Sequence, residues 1–167
     1  LNIPLATARR YAVGIVRQLR PYCDRIKVAG SIRRRRPFVH DIDLVILPRD
    51  LAAIKKRCEQ RCQVIMNGNV NYRLVMPNGV NLDIYFATAR QKTLFETTPT
   101  NWGSLLLCRT GSKEHNERIA LAAKTQGLHW DPYRGLLDRA GTLIAGETEN
   151  SIYHALGIHP LSPADRR

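Results

Sequence analysis

The sequence predicts an α+β fold, a mixed sheet carrying helices followed by a smaller α/β region, and three observations predict it. Apolar residues recur at helical spacing over 4–20. Residues 41–47 alternate acid and apolar side chains and then run apolar, as a buried strand does. Asn78-Gly79, a strong hairpin turn signal, separates two further strand-like runs.

Each element follows in order. In 4–20, Leu5, Ala8, Ala12, Ile15, Val16 and Leu19 line one helix face, and the arginines mostly take the other. Pro21 ends that helix. Residues 25–29 read as a strand, 30–40 as a basic loop or short helical turn, and 41–47 as a buried strand broken by Pro48. Residues 50–62 read as a helix, and 63–66, 72–76 and 81–87 as strands. The character changes near residue 89. Helices are expected over 100–107 and 112–125, the second stopped by Gly127. Short strands are expected near 128–131, 135–138 and 142–145, then a helix over 151–156 closed by Gly157. The expected division is therefore 1–89 and 90–167. No internal repeat or low-complexity tract interrupts it.

Composition bounds the function. At 167 residues, 44% hydrophobic and 24% charged, the chain is excluded from wholesale disorder. No apolar run approaches the ~18–20 residues that span a bilayer, so no membrane partner is expected. No charged-then-apolar leader opens the sequence, so secretion is not expected. The net charge of +12 is concentrated: residues 1–36 hold ten bases against one acid, Asp24. Such a field attracts polyphosphate, nucleic acid or an anionic membrane surface, and of these nucleic acid or nucleotide is the expected partner. Cys23, Cys58, Cys62 and Cys108 show no zinc-site spacing and read as reduced thiols. The five histidines form no ligand motif.

The chemistry candidates are Asp41, Asp43 and Asp83. Asp is depleted in strands, because its side chain competes for backbone hydrogen bonds. Two Asp at i and i+2 of one strand share a face and repel each other unless a cation neutralises them. Asp83 repeats the situation in a second apolar strand, and all three converge if the strands are neighbours. Three hard oxygen ligands suit Mg²⁺ or Mn²⁺, held as a pair of ions that clamps attacking and leaving oxygens in phosphoryl transfer. Gly30-Ser31 follows a strand and precedes Arg33, Arg34, Arg35 and Arg36. The glycine lets backbone N–H groups approach an anion, and the serine hydroxyl and an arginine fork can hold phosphate oxygens. Together these are the two halves of a site for a metal–triphosphate.

At these residues the sequence resembles a known family. Gly30-Ser31-Ile32-Arg33-Arg34 with His40-Asp41-Ile42-Asp43-Leu44-Val45 resembles the nucleotidyltransferase signature of family X DNA polymerases, the polymerase beta group. Asp83 falls at the family's third catalytic Asp. Arg109-Thr110-Gly111-Ser112-Lys113-Glu114-His115-Asn116 is similar to the segment that closes over the incoming nucleotide. Ile152-Tyr153-His154-Ala155-Leu156-Gly157 through Pro163-Ala164-Asp165-Arg166 is similar to the family's C-terminal end, and Ile3-Pro4 to the entry of its palm.

The resemblance implies a palm over 1–89 and a nucleotide-closing subdomain over 90–167. It implies a monomeric polymerase that adds dNTPs, and possibly rNTPs, to a primer 3′-hydroxyl in short gap filling or end processing during repair. The implied DNA partner is a primer-template or gapped duplex, and the cofactor is two Mg²⁺, replaceable by Mn²⁺. Asp41 and Asp43 would bind both ions and Asp83 the catalytic one. Gly30, Ser31, Arg34 and the backbone of His40 would hold the triphosphate. Cys108, Arg109, Gly111, Ser112 and Asn116 would meet the rest of the nucleotide, with Gly111–Ser112 as a cis peptide. Arg9, Arg10, Arg17, Arg33, Arg35 and Arg36 would grip DNA. The cell interior is the implied location: cytoplasmic and nucleoid-associated in a bacterium, or virus-encoded.

The sequence also departs from the family. It starts at the palm, so the lyase activity of the family's N-terminal helical domain is not expected. Cys108-Arg109 stands where many members have Tyr-Phe beside the sugar, which weakens the expected preference for deoxyribose. Asn2 and Asn81 hold positions that are often Arg. Two alternatives are a nucleotidyltransferase acting on a non-DNA acceptor and a noncatalytic nucleic-acid-binding module.

Overall fold

Small residues let the first helix lie close to the sheet. In α1 (Leu5–Leu19), Ala8, Ala12 and Leu19 are buried, while Arg9, Arg10 and Arg17 are exposed. The computed structural model describes residues 2–89, 91, 92 and 97–166 and has two compact units, Leu1–Phe86 and Ala87–Arg167.

In the first unit, β1 (Ile3–Pro4) precedes α1, and a 3-10 turn at Arg20–Tyr22 with Pro21 at its start ends it. β2 (Cys23–Val28) leads to the short helix α2 (Gly30–Arg33) and β3 (Phe38–Val39). β4 (Asp41–Pro48) follows, then α3 (Leu51–Glu59), whose first turn is capped by Asp50 accepting from the Ala53 N–H at 2.9 Å. β5 (Gln63–Asn67), β6 (Asn71–Val75) and β7 (Asn81–Phe86) complete a five-stranded sheet of order β2-β4-β7-β6-β5. Only the β4–β7 pair is parallel in it, so the chain crosses over from one to the other through α3, β5 and β6. Alternation gives the sheet two faces. Ile42, Leu44, Ile46, Tyr72, Leu74, Leu82, Ile84 and Phe86 form one core with α1 and with Ile54 and Cys58 of α3. Asp41, Asp43, Arg73 and Asp83 alternate with them and belong to the other face.

In the second unit, β8 (Gln91–Lys92) pairs with β9 (Thr97–Thr98). Then come α4 (Trp102–Thr110), α5 (Lys113–Thr125), a meander of β10 (His129–Asp131), β11 (Gly135–Leu137) and β12 (Leu143–Ala145), and α6 (Glu149–Ala155). Leu107, Ile119, Ala123, Trp130, Leu136, Ile152, Tyr153 and Leu156 are its core. α4 packs on α6 through Gly103, where an added Cβ would fall 2.1 Å from the Thr148 backbone.

The structure differs from the sequence reading in several places, among them α3, which ends at Glu59 instead of 62, and β2, which begins at Cys23 instead of 25. Pro48 does not break its strand but is the last residue of β4, paired with Cys23, where a proline can sit. The helix expected from residue 100 begins at Trp102, because Thr100 and Asn101 bond to Thr88 and Tyr133 instead. The last helix begins at Glu149, since Thr148 is its cap and forms a capping box with Ser151. The two-residue pairs β1–β3 and β8–β9 were not expected, being too short to show a period.

Candidate active site

Strand register builds the acidic cluster. β4 and β7 run parallel with Asp43 directly opposite Asp83 and Asp41 opposite Asn81. The three carboxylates each offer an oxygen within 4.8 Å of the others. Asp83 is buried, and Asp41 and Asp43 are half-buried. Burial pushes the Asp41 carboxyl above its ordinary range, and the Asp83 charge pushes it in the same direction. The donor set is all carboxylate oxygen, close enough to be shared by a pair of divalent ions about 4 Å apart, so the cluster fits Mg²⁺ or Mn²⁺.

The Gly-Ser turn is built against this cluster. Gly30 has φ +56°, and a Cβ there would lie 1.8 Å from Asp43 Oδ2, so no other residue fits. Ser31 follows it on α2, and its Oγ is buried without a hydrogen-bond partner. An orphaned buried hydroxyl costs free energy unless a ligand satisfies it. The arginine run winds on through Arg34 N–H to Gly30 O at 3.1 Å and Arg36 N–H to Ser31 O at 3.0 Å. Arg33, Arg34 and Arg36 are half-buried, whereas Arg35 is exposed and takes a left-handed φ of 59°. His40, next to the first Asp, is exposed.

The second unit gathers the remaining candidates among themselves. Cys108 and Arg109 lie in the last turn of α4, and the Cys108 carbonyl accepts from Asn116 Nδ2 at 2.8 Å. Asn116 Oδ1 is buried and unpartnered. Arg109 lies over the Tyr133 ring, 5.6 Å from its centroid, and donates to the Tyr133 hydroxyl. Gly111 has a positive φ, and the Gly111–Ser112 peptide is cis, as the family resemblance implies. Ser112 caps α5 by accepting from the His115 N–H at 3.3 Å. All four cysteines are free thiols, and burial pushes Cys23 up to about 11 and Cys58 to about 12, so these two are held in the thiol form.

Sequence reasoning missed Arg73. Its Nε donates to Asp83 Oδ1 at 2.7 Å and its Nη2 to Asp83 Oδ2 at 2.9 Å, a two-bonded fork across the β6–β7 pair. The signal was present: pairing outward from the turn at Asn78 puts residue 73 opposite residue 83.

Comparison with known proteins bears on the fold and the family resemblance. Residues 105–167 match the family model described as the DNA polymerase beta thumb. The chain is 26% identical over 171 residues to the DNA polymerase/3'-5' exonuclease PolX of Bacillus subtilis (strain 168); the match covers 99% of this chain and 28% of that protein. The fold is that of polymerase beta. The Leishmania infantum enzyme superposes with a TM-score of 0.80 at 17% identity in a ternary P/T complex, covering 100% of this chain and 77% of that one. The same enzyme in a ternary gap complex gives 0.77 at 17% identity, covering 99% and 71%. The α+β class and the family X resemblance are thus borne out.

Proposed function

We propose that this chain is the polymerising part of a family X-like DNA polymerase, with Leu1–Phe86 as palm and Ala87–Arg167 as the nucleotide-closing unit. The observation that carries the proposal is the convergence of Asp41, Asp43 and Asp83 within 4.8 Å on two adjacent parallel strands. Like charges gathered in this way make the fold less stable without a cation, so their placement answers to a ligand.

Asp41 and Asp43 would hold both ions and Asp83 the catalytic one. When bound, two Mg²⁺ ions neutralise charge on the attacking and leaving oxygens. The chain's own residues do the rest. The orphaned Ser31 hydroxyl and the Arg34 guanidinium take phosphate oxygens of the triphosphate, on a turn that only glycine can make. Asp83 would sit near the primer 3′-hydroxyl and favour loss of its proton to surrounding water. The primer oxygen then bonds to the α-phosphorus as the bond to the β-phosphate oxygen breaks, and pyrophosphate leaves with that electron pair. Asn116 is proposed to face the minor-groove edge of the incoming base, and Cys108, Arg109, Gly111 and Ser112 to border its sugar. The Tyr133 stack holds the long Arg109 side chain, and Cys108 is small, so discrimination against rNTPs is relaxed. The neighbours' ternary complexes support a primer-template or gapped duplex as substrate. Exposed Arg9, Arg10, Arg17 and Arg35, with Arg33 and Arg36, would grip its phosphates, and affinity should fall steeply with salt.

The test is extension of a one-nucleotide-gapped duplex with each dNTP and rNTP in Mg²⁺, beside the same reaction with Asp83→Asn. The expected result is single-nucleotide addition by the native chain and loss of most turnover, with nucleotide binding kept, in the variant. Native-rate extension by Asp83→Asn would overturn the site. Transfer of nucleotide to an acceptor other than DNA, with no primer extension, would overturn the polymerase reading and leave a nucleotidyltransferase.

A further inference from the structure

Arg73 binds one of the metal-binding candidates directly, and its geometry with Asp83 is more specific than a surface ion pair. The two residues are directly opposed on paired strands, so the ladder fixes their backbones. Asp83 is only 5% exposed, while Arg73 reaches it from a 44% exposed position. The guanidinium meets the carboxylate side-on, through Nε to one oxygen and Nη2 to the other. An ionised carboxylate has about four lone-pair sites, two on each oxygen. The fork takes one on each oxygen and sets the plane of the group.

We infer that Arg73 is a positioning residue: it fixes the plane of the Asp83 carboxylate and limits it to serving a single ion. The inference rests on the metal-dependent reading of the site given above. Asp83 keeps one lone pair on each oxygen, in the plane that the fork sets. The two remaining lone pairs point away from each other, so Asp83 can bind one ion of a pair about 4 Å apart through one oxygen but can neither chelate it nor bridge the pair. A second consequence is electrostatic. The Arg73 charge competes with a metal for the same carboxylate, so Arg73 lowers the affinity of the cluster for divalent ions while it raises the precision of their placement. A lysine at 73 would keep the charge and lose the planar fork, which separates the two effects.

The experiment uses the whole chain and two variants, Arg73→Gln and Arg73→Lys. Binding of Mn²⁺ alone is followed by electron paramagnetic resonance, and single-nucleotide extension is measured in Mg²⁺. For Arg73→Gln the expected results are a threefold or greater gain in Mn²⁺ affinity and a tenfold or greater loss of kcat, with KM for the dNTP within about twofold of native. For Arg73→Lys, Mn²⁺ affinity should return to within twofold of native while kcat stays low. Unchanged Mn²⁺ affinity in Arg73→Gln would overturn the inference, as would a native or raised kcat, which would make Arg73 a brake. Restoration of kcat by Arg73→Lys would also overturn it, by showing that charge alone suffices. If Arg73→Gln does not fold, the low kcat at native Mn²⁺ affinity expected of Arg73→Lys still decides. If the native chain extends no primer, the polymerase reading fails by itself, and the Mn²⁺ arm still reads the link between Arg73 and the cluster.

Discussion

The protein contains two buried or half-buried ionic clusters of opposite design. In the first unit, three carboxylates crowd within 4.8 Å, and Arg73 forms a two-bonded fork with one of them, Asp83. In the second, His115 Nε2 meets the Tyr153 hydroxyl at 2.7 Å, the Arg166 guanidinium lies over the Tyr153 ring, and Arg166 Nη1 donates to Glu149 at 2.9 Å. Its charges cancel, because the His115 ring is held neutral: burial and the nearby Arg166 charge lower its pKa to about 4. One cluster gathers carboxylates of a single sign around a shared point, and the other pairs opposite signs. The difference teaches that an unbalanced cluster answers to something outside the chain, whereas a balanced one answers to the fold.

Three substitutions can break or sharpen this contrast. The largest effect is expected for Asp43→Asn. It should cost primer extension a thousandfold or more, about 4 kcal/mol of barrier, measured as kcat/KM. Its Tm without metal should be equal to or above native, because one of three repelling charges is gone. A large fall in Tm would show that the acids hold the fold together.

Arg166→Ala should do the reverse. Arg166 is 2% exposed, and removing it takes a buried charge-assisted bond from the Glu149 carboxylate. Breaking a buried pair from one side costs about 3 kcal/mol or more, read as a drop in unfolding midpoint in urea. No change in that midpoint would remove the structural role given to the cluster.

The smallest effect concerns pH. The His115 pKa is depressed in the folded chain, so between pH 6.5 and 4 the unfolded chain binds a proton that the folded one refuses. Stability from this group is therefore complete above about pH 6.5 and is lost as pH falls towards 4, by up to about 2–3 kcal/mol. His115→Phe should flatten that part of the stability–pH curve relative to native, as measured by thermal unfolding at several pH values. Parallel curves for the two proteins would contradict the assignment.

These clusters were not equally legible in the sequence. The acids stood out because Asp41, Asp43 and Asp83 interrupt apolar strands, and Gly30-Ser31 stood out because the motif is local. The convergence itself needed β4 and β7 to be neighbours, which alternation cannot say; the pairing is parallel and joins residues far apart in sequence. Arg73 was hidden by the abundance of arginines in a chain of net charge +12, although the hairpin around Asn78 placed it. The second cluster was invisible, since His115, Glu149 and Arg166 come from α5, α6 and the C-terminal segment, and no spacing rule links them. The two-residue pairs were too short to show a period, and the start of α4 was misplaced because side-chain bonds hold Thr100 and Asn101 outside the helix, which propensity does not foresee.

The crossover between β4 and β7 has a consequence for how such a protein can change. Asp43 and Asp83 are kept level by the hydrogen bonds of the two parallel strands themselves, not by the segment that joins them. Arg73 rides on β6, which pairs with the other side of β7, so it shares the same ladder as the acids. α3 and β6 contribute Ile54, Cys58, Tyr72 and Leu74 to the core and have no freedom to drift. Changes of length at exposed Gln60 and Arg61, in the turn before β5, would leave the register of all three strands untouched. The level of the acids is thus insulated from the length of the chain that joins them.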